Sequence, residues 1–295
     1  MMEQLKGTGV ALITPFTSDN KVDTEALTKL VNYVIDGGVE YLVVLGTTSE
    51  VPTLTKDEKK LVCETIIEAN KQRLPLVIGI GGNNTQAVID EINDFDLSEF
   101  TAILSVTPYY NKPSQNGLYA HFSEIAKNSP LPIILYNVPG RTGVSMSADT
   151  INRLAKNFEK IIAVKEASGD LSLNMAVIKD KPEDFLFISG DDFSTLPSVF
   201  MGGSGVISVI GIAFPKEFSE MVRLGLKGEV EKARAIHYQL MKQTNLAFKE
   251  GNPVGIKAIL AEKGLCKPYV RLPLVEASNS LKAEIKADIQ IISKL

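Results

Sequence analysis

The chain has 295 residues, 44% hydrophobic and 22% charged, enough for one large α/β domain or two small ones with a sizeable core. A net charge of −4, a pI near 5.4 and the lack of any Lys/Arg-rich cluster argue against nucleic acid and anionic membrane surfaces as partners. No apolar run reaches transmembrane length and residues 1–6 carry no signal-peptide pattern, so a cytoplasmic protein is expected.

The first apolar run is GVALIT (9–14), read as a buried strand. TEALTKLVNYVIDGG follows, with Ala26, Leu27, Leu30, Val31, Val34 and Ile35 on one helical face, Asp23 or Thr24 as cap and Gly37-Gly38 as stop. YLVVLG (41–46) precedes the helical KDEKKLVCETIIEAN, where Cys63 lies on the apolar face as a small hydrophobe. PLVIGI (75–80), AILSVT (102–107) and PIILYN (132–137) continue the series; SADTINRLAKNF, capped by Ser147, leads to IIAVKE (161–166), then FLFIS (185–189) and GVISV (205–209). From about Pro215 onward the pattern is helical only, as in GEVEKARAIHYQLMKQTNLAF and NPVGIKAILAEKG.

Eight apolar runs alternating with helices predict parallel strands covered on both faces: an α/β fold, a (β/α)8 TIM barrel with additional C-terminal helices. The barrel is expected over residues 1–225 and a helical appendage packed on it over residues 226–295. An open doubly wound sheet is disfavoured, because GVALITPF has no glycine-rich turn and GIGGNNT (79–85) lacks G-x-G-x-x-G spacing. Cys63 and Cys266 form no disulfide framework, and His121 and His237 lie in no metal-ligand spacing. A reducing compartment fits, and a zinc site or a histidine-based triad does not.

In such a barrel the active site lies at the C-terminal strand ends. Those ends carry Thr14, Gly46-Thr47-Thr48, Thr107-Pro108-Tyr109-Tyr110, Tyr136, Lys165, Gly190-Asp191-Asp192 and Ser208, with Arg141 just beyond Tyr136. Strand alternation places Lys165 on the side of Ala163 and Ile161, opposite Val164, and small Ala163 leaves room for a ligand beneath the amine. Each residue has a plain reading: a snorkelling lysine, a bonded core tyrosine, helix-capping threonines, a surface arginine. Their convergence at one barrel mouth instead matches imine chemistry, which needs a poorly solvated lysine, a phenol to move protons, and donors for a carboxylate.

LGTTSE (45–50), TPYYNKPSQNGLYAHF (107–122), ILYNVPGRTG (134–143), VKEASGD (164–170), SGDD (189–192), GVISV (205–209) and GNPVGIKA (251–258) carry a specific resemblance along essentially the whole chain. It resembles the dihydrodipicolinate synthases of the pyruvate-dependent class I aldolase family, which includes N-acetylneuraminate lyase. The resemblance implies condensation of pyruvate with L-aspartate 4-semialdehyde to 4-hydroxy-tetrahydrodipicolinate, in lysine and diaminopimelate biosynthesis. It implies that Lys165 forms the Schiff base, Tyr136 donates and accepts protons, and Thr47 links Tyr136 to a Tyr110 reaching in from a neighbouring subunit. Thr48 and the backbone at Ile207 would hold pyruvate, and Arg141 the carboxylate of the aldehyde. It further implies no metal, no organic cofactor, and a homotetramer built as a dimer of dimers.

Ser49 stands where the family has glycine in GTTGE, and Gly140 where it has serine in NVPSRTG. At the family's lysine feedback site Asn83 and Tyr109 match, but Lys56 and Lys59 replace histidines, Ala87 a glutamate, and Val51-Pro52 small residues. Weak or absent inhibition by L-lysine is expected. Two other readings stand beside the synthase: a related aldolase or lyase acting on N-acetylneuraminate or a 2-keto-3-deoxy sugar acid, and a keto-acid-binding barrel without turnover.

Overall fold

The structure is a computed structural model and describes residues 2–292. Eight parallel strands, β1 (Gly7–Ala11), β2 (Tyr41–Val44), β3 (Leu76–Gly79), β4 (Ala102–Val106), β5 (Ile133–Asn137), β6 (Ile161–Glu166), β7 (Leu186–Ser189) and β8 (Gly205–Ser208), pair in chain order. β8 pairs back onto β1, so the barrel closes and leaves no open edge. The helices between them are α1 (Thr24–Asp36), α2 (Lys56–Asn70), α3 (Thr85–Asp94), α4 (Gln115–Asn128), the short α5 (Pro139–Thr142), α6 (Ala148–Asn157), α7 (Leu171–Asp180) and α8 (Thr195–Phe200). α9 (Pro215–Leu226) follows β8, and α10 (Val230–Phe248), α11 (Val254–Glu262) and α12 (Asn279–Ile292) come after it. α10 packs against α9 and α11, and α12 against α10 and α11.

Local chemistry explains where the helices begin. The Asp23 carboxylate accepts from the Ala26 amide to start α1, and Ser147 Oγ accepts from the Thr150 amide to start α6. Thr55 and Glu58 form a reciprocal capping box on α2.

Two apolar cores result. The larger joins the outer faces of the strands to the helices, for example Val44 and Val164 with Leu27, Leu30, Val62 and Phe122. The smaller draws on no long helix and fills the barrel: Tyr41, Val43, Val77, Leu104, Ile134, Ile188 and Ile207. Strand alternation breaks at one point. Ile133 pairs with Ile161 but Ile134 pairs with Ala163, so β6 carries an extra residue at Ile162. Ile162 and Ala163 therefore both belong to the interior cluster, while Ile161 belongs to the outer core. The expectation that Ile161 shares a face with Lys165 is corrected accordingly; Ala163 and Lys165 do share one.

The C-terminal helices are tied to the barrel mouth by charge. Lys257 of α11 meets Glu50 at 2.5 Å, their side chains 0% and 2% exposed. Lys257 Nζ also donates to the Tyr269 carbonyl at 2.9 Å and lies 4.2 Å from the Phe16 ring centroid. Glu50 accepts a second bond from the Arg271 amide at 2.9 Å. Burial holds the Lys257 ammonium below the usual lysine range, and Glu50 opposes that shift.

Candidate active site

A cavity of about 710 Å³ opens at the C-terminal ends of the strands. Tyr136 and Thr47 lie on its wall, as do Arg141 and, from beyond the barrel, Asn252. Tyr136 and Lys165 are register partners on β5 and β6, so both point inward at the same height. Tyr136 is 6% exposed and Lys165 5%, and the lysine Nζ stands 4.3 Å from the centre of the Tyr136 ring. Among the described residues no carboxylate lies within ion-pair distance of Lys165, and no hydrogen bond engages its Nζ. The lysine is thus buried and unpaired, set against the ring of Tyr136, which lines the cavity while Lys165 itself does not.

The next residues on the same two strands show how the amine is kept unpaired. Asn137 and Glu166 point outward, where Asn137 Nδ2 donates to Glu166 Oε2 at 2.6 Å and the Ser168 amide donates to Oε1 at 2.6 Å. Burial pushes the Glu166 carboxyl up, and these two donors oppose the shift. The only carboxylate adjacent to Lys165 in sequence is thereby turned away from it.

Gly190, just past β7, leaves room for the lysine stem. A Cβ there would lie 2.7 Å from Ala167 Cβ and 3.0 Å from both Cγ and Cε of Lys165. On the next strand Ile207 is inside the barrel, 1% exposed. The turn after it is organised by Asp192, which accepts from Ser208 Oγ at 2.6 Å, the Val209 amide at 3.1 Å and the Ile210 amide at 3.0 Å. Burial without a counterion pushes the Asp192 carboxyl up to about 6 despite these donors.

The threonines sit in a 3-10 turn, Thr47–Ser49, rather than capping a helix. Thr48 is buried and its Oγ1 accepts from Asn252 Nδ2 at 3.0 Å. Arg141, in α5, is exposed, and its Nη2 donates to the Asn252 carbonyl at 2.9 Å. Among the described residues neither the Thr47 nor the Tyr136 hydroxyl has a hydrogen-bond partner. Tyr110 is not brought to them: it is 87% exposed and lies off the cavity wall, whereas its neighbour Tyr109 lines it.

The two departures from the family pattern differ in kind. The Ser49 hydroxyl donates to the Leu12 carbonyl at 2.7 Å and anchors the turn to the end of β1, away from the cavity. Among the described residues, Gly140 has no atom within 4 Å of the place a Cβ would take. Residues 50–54 and part of α2 and α3 extend the cavity sideways. There Ala87 and Lys59 line it, with Lys59 Nζ held by Glu91 at 2.7 Å, while Lys56 is exposed outside it. Asn83 donates to the Tyr109 carbonyl at 3.2 Å.

Sequence reasoning set Gly190 and Asp192 at the barrel mouth without foreseeing their contacts, and gave no individual role to Asn252 or Glu50. Their signal was membership of the motifs LGTTSE, SGDD and GNPVGIKA, and nothing local ties Asn252 to Thr48.

A sequence-family model described as the Dihydrodipicolinate synthetase family matches residues 4–292. The 4-hydroxy-tetrahydrodipicolinate synthase of Flavobacterium psychrophilum is 56% identical over 293 residues, 99% of this chain and 100% of that protein. The enzyme of the same name from Parabacteroides distasonis is 52% identical over 92% of this chain and 91% of its own length. The crystal structure of dihydrodipicolinate synthase from Aquifex aeolicus superposes with a TM-score of 0.94 at 38% identity, covering 98% of each chain.

Proposed function

The chain belongs to the dihydrodipicolinate synthetase family, and from that premise we propose that it condenses pyruvate with L-aspartate 4-semialdehyde to 4-hydroxy-tetrahydrodipicolinate. The Lys165 amine adds to the keto carbon of pyruvate and water leaves, giving a protonated imine. Tyr136 removes a proton from the neighbouring methyl, and the imine nitrogen accepts the electron pair as the enamine forms. The enamine carbon attacks the aldehyde, whose oxygen takes a proton. The amino group of the new chain then adds to the imine carbon and expels Lys165, closing a six-membered ring. No metal or organic cofactor is required, because the protonated imine is itself the electron sink.

Thr48 and the backbone at Ile207 would hold the pyruvate carboxylate, and Arg141 the carboxylate of the second substrate. Thr47 would pass protons between Tyr136 and Tyr110 of a neighbouring copy in a homotetramer. The exposure of Tyr110 supports that role, since a phenol off its own cavity is free to enter another. No helix among the described residues is long and apolar enough to cross a membrane, which accords with a biosynthetic enzyme working in the cytoplasm.

The observation that carries the proposal is the buried, unpaired Lys165 against Tyr136 at the strand ends. The test is turnover of the two substrates, coupled to a dihydrodipicolinate reductase and read as oxidation of its nicotinamide cofactor. A signal supports the synthase. Silence from protein that still captures pyruvate on Lys165 under borohydride would mean a different acceptor, as in the sugar-acid aldolases.

A further inference from the structure

The segment around Asn252 crosses the barrel mouth and touches both halves of the site. Asn252 is 9% exposed and lines the cavity. Its side-chain amide donates to Thr48 Oγ1 at 3.0 Å, and its backbone carbonyl accepts from Arg141 Nη2 at 2.9 Å. The direction of the first bond matters. An amide NH2 only donates, so Thr48 Oγ1 is the acceptor and its single proton is not used on Asn252. Among the described residues no other hydrogen bond engages Thr48 Oγ1, so that proton remains for a ligand. A hydroxyl that accepts one bond is also polarised into a better donor for the next. Packing does not account for the choice of residue, because Asn252 Oδ1 is buried with no partner among the described residues, which is unfavourable for an amide oxygen.

We propose that Asn252 is a positioning residue that commits the Thr48 hydroxyl to donate toward the keto-acid carboxylate and holds Arg141 for the second carboxylate. A residue from outside the barrel thus sets the spacing between the two anionic ends of the substrates. The inference rests on the roles given to Thr48 and Arg141 above.

The two contacts separate experimentally, because one uses the side chain and the other the backbone. Asn252→Asp is nearly isosteric but only accepts, so Thr48 turns its proton onto residue 252 and away from pyruvate. The expected result is a KM for pyruvate raised about tenfold or more, with the KM for the aldehyde changed less than about threefold. Borohydride capture at low pyruvate falls in parallel. Asn252→Ala removes the donor without adding charge and raises the pyruvate KM by a smaller factor. In a Thr48→Val background, Asn252→Asp adds little, since the hydroxyl it acts through is gone.

Equal rises in both KM values, or the same penalty in the Thr48→Val background, would overturn the proposal and leave Asn252 a structural residue. Should Asn252→Asp fail to fold by circular dichroism, Asn252→Ala in the same cycle decides between these outcomes. Wild-type protein that captures no pyruvate overturns the functional reading itself and this inference with it. Capture by the wild type with unchanged KM values in the variants overturns the inference alone.

Discussion

Lys165 and Tyr136 are neighbours across the β5–β6 ladder, and the lysine nitrogen lies 4.3 Å from the centre of the tyrosine ring. The phenol is therefore placed beside any imine the amine forms. Tyr136→Phe keeps the ring against the lysine and removes only the proton carrier. Turnover should fall about 10²- to 10⁴-fold while borohydride capture of pyruvate persists. Activity surviving intact would remove Tyr136 from the proton path.

Gly190 is open to a steric test. In Gly190→Ala the new methyl meets the stem of Lys165 at 3.0 Å and Ala167 at 2.7 Å, so the lysine must shift. A displacement of this size near the reacting atom should lower kcat at least about tenfold. The melting temperature should drop by only a few degrees, roughly the effect of modest overpacking. Unchanged kinetics would mean that the amine finds its position by other means. Gly140→Ser, at an open position, serves as the control and should leave fold and stability unchanged.

The Lys257–Glu50 pair is buried, so removing one partner strands a charge. Lys257→Met should destabilise by about 3–5 kcal/mol in urea unfolding, and the added change Glu50→Gln should recover part of the loss. Because Glu50 ends the Thr47–Ser49 turn, pyruvate binding should weaken along with stability in the single variant. A single variant as stable as wild type would show the pair to be dispensable.

Asp192 predicts a pH effect of defined sign. Its carboxyl is pushed up to about 6 in the folded chain, against an ordinary value of 3.8. Between these values the folded state holds more protons than the unfolded, so this group's contribution to stability falls as pH rises. The loss is complete above about pH 6 and amounts to roughly 3 kcal/mol. Asn at this position does not titrate. The stability of Asp192→Asn relative to wild type should therefore improve by about 2–3 kcal/mol between pH 4 and pH 7. Urea unfolding at the two pH values measures it, and a difference that stays flat would contradict the burial effect.

L-lysine should inhibit weakly or not at all. Among the described residues, Glu50 and Glu91 are the acidic side chains on the cavity wall, and each is already paired with a lysine of the chain. A diamino acid entering there meets Ala87 and the Lys59 ammonium, and its second amine finds no free carboxylate. Millimolar lysine that strongly suppressed turnover would refute this.

The barrel was legible along the chain because its signals are local. Apolar runs of strand length, one-sided helices and caps such as Asp23 and Ser147 involve residues within a few positions of one another. The strand-end rule then brought Lys165, Tyr136 and the threonines to one mouth without any contact being known. Strand alternation misplaced Ile161, because an extra residue in a strand changes which side chains face inward while the run stays uniformly apolar.

By itself the sequence determined the succession of elements and the end of the barrel at which Lys165, Tyr136 and the threonines gather. Tertiary structure alone decided how the Lys165 amine stays unpaired and which residue orders Thr48. Glu166 faces outward to Asn137, 29 positions away, and Asn252 reaches Thr48 across 204 positions. Such contacts follow no periodicity. They depend on how the barrel closes and where the C-terminal helices dock on it, which the collective burial of both cores sets and no neighbouring residue does.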